Sequence, residues 1–222
     1  DSPRAQLTRS ALNTIKETKI IAIIRNAKPD DILPIVKSLY KSGIRAIEIT
    51  MNSPKALESI ELVATEMKDK VVVGAGTVLD AESARLAILS GATFILSPTL
   101  NKETIQMTKK YGAVSIPGAL SPTEILDAYE YGGDIIKVFP TTSMGPEYIK
   151  DLQGPLPQIP LLPTGGIDLN NIEQFMKAGA VGVGLGSSLV NTKLEANEEY
   201  YKNLEETAKQ FSDIVHLKKG RA

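Results

Sequence analysis

The sequence predicts a (β/α)8 TIM barrel with an extra N-terminal helix, and three observations predict it. Eight short β-rich runs alternate with helical stretches across about 200 residues, near the roughly 250 typical of such barrels. Five helical stretches end alike, at Ser42-Gly43-Ile44, Ser90-Gly91-Ala92, Tyr111-Gly112-Ala113, Tyr131-Gly132-Gly133 and Ala178-Gly179-Ala180. Each puts glycine where a helix needs a left-handed residue before the next strand. No linker or shift in composition divides the 222 residues. One domain over 1–222 is therefore expected, with 1–18 as N-terminal helix and 191–222 as C-terminal helix and tail. A doubly wound open sheet is the alternative, but it usually has fewer strands.

The elements follow in order. A helix is expected from Ala5 to Glu17, apolar at Leu7, Ala11, Leu12 and Ile15, and the first strand runs Lys19 to Ile24. Ile32, Ile35, Val36, Leu39 and Tyr40 then form a helical stripe that stops at Gly43. Ile44 to Thr50 is the second strand, after which Ser53-Pro54 reads as an N-cap with proline at the first helical position. Val71 to Gly74, Thr93 to Leu96 and Ala113 to Ile116 are the next three strands. Asp80 is expected to cap the helix after the third, and a helix over 101–111 follows the fourth. Ser121-Pro122-Thr123-Glu124 is a capping box after the fifth. Asp134 to Pro140 is the sixth strand, with a helix near Glu147 to Leu152. Leu161 and Leu162 begin the seventh, with a helix from about Asp168, and Val181 to Leu185 is the eighth. A last helix holds Tyr200, Leu204, Ala208 and Phe211, and Lys218-Lys219-Gly220-Arg221 is expected to be a solvated basic tail.

Composition narrows the chemistry. Net charge is −1, with 23% charged and 42% hydrophobic residues, so nothing suggests a nucleic-acid partner. No apolar run approaches the roughly 18 residues of a membrane span, and no membrane partner is expected. Asp1-Ser2-Pro3-Arg4 lacks the layout of a secretion signal. The chain has no cysteine, which excludes a thiol nucleophile and favours an intracellular, cytoplasmic location. His216 is the only histidine, which excludes a His-rich zinc site and argues against a Ser–His machine. An enzyme built on this sequence must take its acid and base from carboxylates, lysines, tyrosines or water.

In a barrel, function collects at the C-terminal ends of the strands. Lys137 stands in the middle of an otherwise apolar strand, Ile135 to Phe139. Either its amine snorkels off the strand end or it points into a sheltered site, where apolar surroundings lower its pKa and make it a nucleophile. Glu48 lies near the end of the second strand, as a rim residue or as a carboxylate sharing that ring. Thr164-Gly165-Gly166 and Gly186-Ser187-Ser188 follow strands seven and eight, where barrels often hold phosphate. Arg25 either offers a fork to a substrate anion or pairs with Asp30 or Asp31. Gly74-Ala75-Gly76-Thr77 is neither a dinucleotide fingerprint nor a P-loop, and reads as a close-approach turn presenting a hydroxyl.

From Lys19 to Val190 an ordered set of motifs resembles the class I aldolases for 2-keto-3-deoxy-6-phosphogluconate and 4-hydroxy-2-oxoglutarate. The set comprises Ile47-Glu48-Ile49-Thr50, Gly74-Ala75-Gly76-Thr77-Val78, Ser97-Pro98, Ile116-Pro117-Gly118, Ile136-Lys137-Val138-Phe139-Pro140, Pro163-Thr164-Gly165-Gly166-Ile167 and Gly186-Ser187. The resemblance implies a Schiff-base role for Lys137 and an acid/base role for Glu48. It puts Thr77 and Thr164 at the pyruvyl end, Gly165, Gly166, Gly186 and Ser187 on the phosphate, Arg25 at the first strand, and Pro98 among the residues that bind substrate. It further implies a keto-acid phosphate substrate, no metal or cofactor, and a homotrimer. One departure is that Asn52 stands where some members carry an arginine for the pyruvate carboxylate, which leaves that role to Arg25 and Thr77. A phosphosugar epimerase or isomerase, or a non-catalytic phosphometabolite-binding protein, would use the same phosphate loops.

Overall fold

The computed structural model describes residues 2–216, so the basic tail lies outside the described residues. Nine strand segments form two parallel sheets. β1 (Ile20–Ile24), β2 (Ala46–Thr50), β3 (Val72–Gly76), β4 (Phe94–Leu96), β5 (Val114–Ile116) and β9 (Val183–Leu185) make the larger, in the order β5-β4-β3-β2-β1-β9. β6 (Gly118–Ala119), β7 (Ile136–Val138) and β8 (Leu161–Pro163) make the smaller. A parallel bridge between Thr164 and Gly184 ties the end of β8 to β9.

The expected fifth strand, Ala113 to Ile116, is present as β5, and a second short segment that the sequence did not suggest, β6, follows it. Pro117 has no N–H to give a ladder, so the chain breaks there and resumes as β6. The Pro117 carbonyl still accepts the Lys137 N–H at 2.9 Å, and the Gly118 N–H reaches back to the Thr99 carbonyl at 3.3 Å. A Cβ on Gly118 would lie 2.5 Å from the backbone of Ser97 and Pro98, so only glycine fits this approach.

Helices pack outside the strands: α1 (Pro3–Thr18), α2 (Pro29–Lys41), α3 (Ala56–Glu66), α4 (Ala81–Ser90), α5 (Lys102–Lys110), α6 (Pro122–Glu130), α7 (Gly145–Gln153), α8 (Ile172–Lys177) and α9 (Glu198–Val215). Asp80 caps α4 through the Ser83 N–H, and Ser121 and Glu124 form the expected capping box on α6. Two starts differ from expectation. α3 begins at Ala56 behind Lys55, because the Ser53 hydroxyl binds the Asn26 N–H and the Thr50 hydroxyl, each at 2.8 Å, instead of capping a helix. α8 begins at Ile172, because Asp168 to Asn171 close a turn of their own, with Asn171 Oδ1 accepting the Asp168 N–H.

The core has two compartments. Helix–strand contacts form the larger, around Ile24, Val36, Ile49, Ile60 and Phe211. The smaller joins Ile21, Ala46, Phe94, Val114, Ile135 and Leu162, from or beside strands of both sheets, to Ala11 and Ile15 of α1. α1 therefore covers the N-terminal strand ends with an apolar face. His216 closes α9 beside it, its ring nitrogens 2.8 Å from the Ser212 carbonyl and 3.2 Å from that of Glu17. Among the described residues, no helix is long and apolar enough to cross a membrane.

Ile15 is fully buried, so Ile15→Ala should cost about 2–5 kcal/mol in urea unfolding. The exposed Ser10→Ala should stay within about 0.5 kcal/mol of the parent.

Candidate active site

Two-residue alternation carries the interior of the strands from apolar to polar. Below Lys137 is Ile135, below Glu48 is Ala46, and below Thr164 is Leu162, all fully buried members of the inner cluster. One step toward the C-terminal ends, the same faces present an amine, a carboxyl and a hydroxyl.

Lys137 sits in β7 between Ile136 and Val138, in register with Gly118 on one side and Leu162 on the other. It is 4% exposed, so it does not snorkel. Its Nζ lies 4.7 Å from the centre of the Phe139 ring. Burial pushes the amine below the usual lysine range; the Glu48 charge opposes this and the Arg25 charge adds to it. An amine so placed spends more time as the neutral nucleophile.

Glu48 is 1% exposed, on β2 between Ile23 and Gly74 in register. It is no rim residue. Its carboxylate lies where a side chain on the neighbouring strand would otherwise sit: a Cβ on Gly76 would come within 1.8 Å of Oε2. Oε1 is buried and has no hydrogen-bond partner among the described residues. Burial pushes this carboxyl above the usual range, against the pull of Lys137 and Arg25. The pKa values of amine and carboxyl thus move toward each other, which narrows the gap a proton must cross between them.

Arg25 follows β1. Its Nη1 donates to Asn52 Oδ1 at 3.1 Å and to Thr77 Oγ1 at 3.2 Å. These partners, on the loops after β2 and β3, turn it to the C-terminal mouth rather than toward Asp30 and Asp31 in the first turn of α2. Thr77 reaches this position with a left-handed backbone, φ 52°.

Arg25, Thr164, Gly165, Gly166, Gly186 and Ser187 line one cleft of about 680 Å³. Gly165 and Gly166 have φ of 103° and 72° and lie against Thr141 and Thr142. Buried Thr141 holds this turn: its N–H and hydroxyl reach the Thr164 carbonyl at 3.0 and 3.1 Å, and the hydroxyl also reaches the Gly165 carbonyl at 2.7 Å. Thr164 Oγ1 is buried without a partner among the described residues. Gly184 makes room for it, since a Cβ there would lie 2.5 Å from that oxygen. The Ser188 hydroxyl donates to the Ile167 carbonyl at 2.7 Å and joins the two glycine turns.

Pro98 stands apart from this cleft, half-buried against Gly118 on the strand beside Lys137. Among the described residues no cluster of three or more His, Cys, Asp or Glu is disposed to hold a metal ion. Sequence reasoning missed Thr141 and Thr192, and took Ser53 for a helix cap. The one available signal was a hydroxyl shortly after a strand end, which is common in any loop.

Comparison with known proteins meets this geometry. The family model described as "Aldolase: KDPG and KHG aldolase" matches residues 12–205. The chain belongs to this aldolase family. It is 35% identical over 197 residues to the 2-dehydro-3-deoxy-6-phosphogalactonate aldolase of Escherichia coli (strain K12), covering 88% of the chain and 92% of that protein. It is 36% identical over 188 residues to a 2-dehydro-3-deoxy-phosphogluconate aldolase of Haemophilus influenzae, covering 84% and 88%. Among solved structures, the KDPG aldolase of Legionella pneumophila, with pyruvate captured as a covalent carbinolamine, is 28% identical. It superposes with a TM-score of 0.76, over 91% of this chain and 94% of that one.

The coupled charges predict a signed titration, readable by NMR of [ε-¹⁵N]lysine. The Lys137 amine should titrate below the ordinary value of about 10.4. Glu48→Gln removes the charge that favours the ammonium and should move the midpoint lower, whereas Arg25→Met should move it higher. Unmoved midpoints would mean that the three groups do not share one field.

Proposed function

We propose that this member of the family is a metal-independent class I aldolase. It cleaves 2-keto-3-deoxy-6-phosphogluconate to pyruvate and D-glyceraldehyde 3-phosphate, and by the same steps 4-hydroxy-2-oxoglutarate to pyruvate and glyoxylate. The observation that carries the reading is Lys137, a strand-borne amine 4% exposed that shares its field with the buried Glu48 carboxyl.

The Lys137 amine attacks the C2 ketone to give a carbinolamine, which loses water to become a protonated imine. Glu48 takes the proton of the C4 hydroxyl as the C3–C4 bond breaks, and the bonding pair flows into the imine to leave an enamine. The aldehyde departs with the phosphate. The enamine is reprotonated at C3, and water hydrolyses the imine to pyruvate and free Lys137. Arg25, steadied by Asn52 and Thr77, holds the C1 carboxylate. Thr164, with its unpartnered hydroxyl, takes the pyruvyl end, and Pro98 meets the substrate from beside Gly118, on the Lys137 side. Gly165, Gly166, Gly186 and Ser187 take the phosphate with backbone N–H groups and a hydroxyl.

The same reading includes an eight-stranded barrel, counting β5 and β6 as one strand, and one domain over residues 1–222. The Thr164–Gly184 bridge on one side and the chain continuity through Pro117 on the other support closure. It includes a homotrimer, supported by exposed Leu86 and Leu89 on α4 and exposed Leu79 just before it, and a cytoplasmic location, where a multiply charged sugar acid phosphate is retained. Light scattering of the purified chain reads the assembly directly, and a monomer would overturn that part.

Treatment with pyruvate and borohydride should leave an adduct on the Lys137 peptide by mass, absent from Lys137→Ala. No adduct, or one that survives Lys137→Ala, ends the proposal. Glu48→Gln should still trap pyruvate while aldol cleavage, followed through a pyruvate-coupled lactate dehydrogenase assay, drops about 10²-fold or more.

A further inference from the structure

The loop after β9 does more than line the cleft. Its first turn, Gly186 to Val190, is closed by the Leu189 and Val190 N–H groups on the Gly186 carbonyl, at 3.0 and 2.9 Å. Directly after it, Asn191 Oδ1 accepts the Lys193 N–H at 3.1 Å, a short side-chain turn with Thr192 at its tip. Thr192 then reaches across to β1, and its hydroxyl donates to the Arg25 carbonyl at 2.6 Å.

That carbonyl belongs to the peptide unit between Arg25 and Asn26. The N–H of the same unit, on Asn26, donates to Ser53 Oγ at 2.8 Å. Both polar groups of one peptide are thus gripped from opposite sides, by the loops after β9 and β2. The grip fixes a peptide next to a left-handed residue, Asn26 at φ 62°, a conformation that asparagine tolerates better than most side chains but that is still uncommon. The plane of this peptide sets where the Arg25 side chain starts, and so whether its guanidinium meets Asn52 and Thr77.

We propose that Thr192 is a positioning residue for Arg25, tying the grip on the substrate carboxylate to the segment that carries the Gly186–Ser188 turn. The inference rests on the aldolase reading for what Arg25 holds, but not for the contact itself. Thr192 touches no substrate in this scheme; it acts by fixing the peptide from which Arg25 projects.

Pyruvate alone tests this, because it carries the carboxylate and lacks the phosphate. In borohydride trapping on Lys137, Thr192→Val should raise the half-saturating pyruvate concentration about five- to tenfold, the worth of one lost hydrogen bond. The adduct formed at saturation should be unchanged. Thr192→Ser, which keeps the donor, should return within about twofold of the parent, and in an Arg25→Met background Thr192→Val should add nothing further. An unchanged half-saturation in Thr192→Val, a Thr192→Ser no better than Thr192→Val, or additive effects with Arg25→Met would overturn the proposal; Thr192→Ala replaces Thr192→Val if the latter does not fold. A parent protein that traps no pyruvate defeats the aldolase reading instead. The clasp is then judged by the ¹⁵N relaxation of the Arg25 side chain, which should show greater motion in Thr192→Val and overturns the clasp if it does not.

Discussion

The structure depends on the cost of keeping an amine and a carboxyl out of water together. A charge in a protein interior loses hydration worth several kcal/mol, and only a partner or a change of protonation offsets it. Lys137 and Glu48 do both at once. Burial drives each toward its neutral form, while the charge of each holds the other back. The outcome is an amine and a carboxyl whose affinities for a proton are drawn toward each other. Arg25 enters the same balance, lowering both.

Much of the surrounding construction makes that burial possible. Gly76 vacates the volume of the Glu48 carboxylate, and Gly184 that of the Thr164 hydroxyl. These glycines are chosen by close approach, as is Gly118, whose backbone lies against Ser97 and Pro98. Below the polar layer the interior closes with large apolar side chains and the plug of Ala11 and Ile15. The two ends of the strands therefore differ in kind: one is sealed and apolar, the other polar, with Thr164 and Arg25 reaching the cleft beside the two glycine turns.

The open end is knit by hydroxyls rather than ion pairs. Thr141 holds the Thr164–Gly165 turn, Ser188 joins that turn to the next, Thr192 joins the last loop to the first, and Ser53 joins the first to the second. Hydroxyls suit this task because each is short, donates and accepts, and adds no charge to a mouth meant for an anionic substrate. Ser53, Thr141, Ser188 and Thr192 thus join the loops of the mouth without adding charge to it.

What the sequence determined by itself is whatever short-range patterning controls. Alternation put Ile135 and Lys137 on one face, glycine with positive φ ended the helices at Gly43 and Gly91, and Ser121 with Glu124 made a capping box. The parallel strands, the N-terminal helix and the ordered motifs of the aldolase family followed from the same local signals. Tertiary structure decided what depends on residues far apart in the chain. Whether Lys137 snorkels or hides depends on Gly118 and Leu162 beside it, and whether Glu48 is rim or interior depends on the missing Cβ of Gly76. Ser53 reads locally as a helix cap, but its hydroxyl is claimed by Asn26, 27 residues earlier. Arg25 could locally have met Asp30 or Asp31, and it meets Asn52 and Thr77 instead because parallel strands bring their C-terminal ends together. A side chain's neighbours along the chain set its conformation; its neighbours across the sheet set its chemistry.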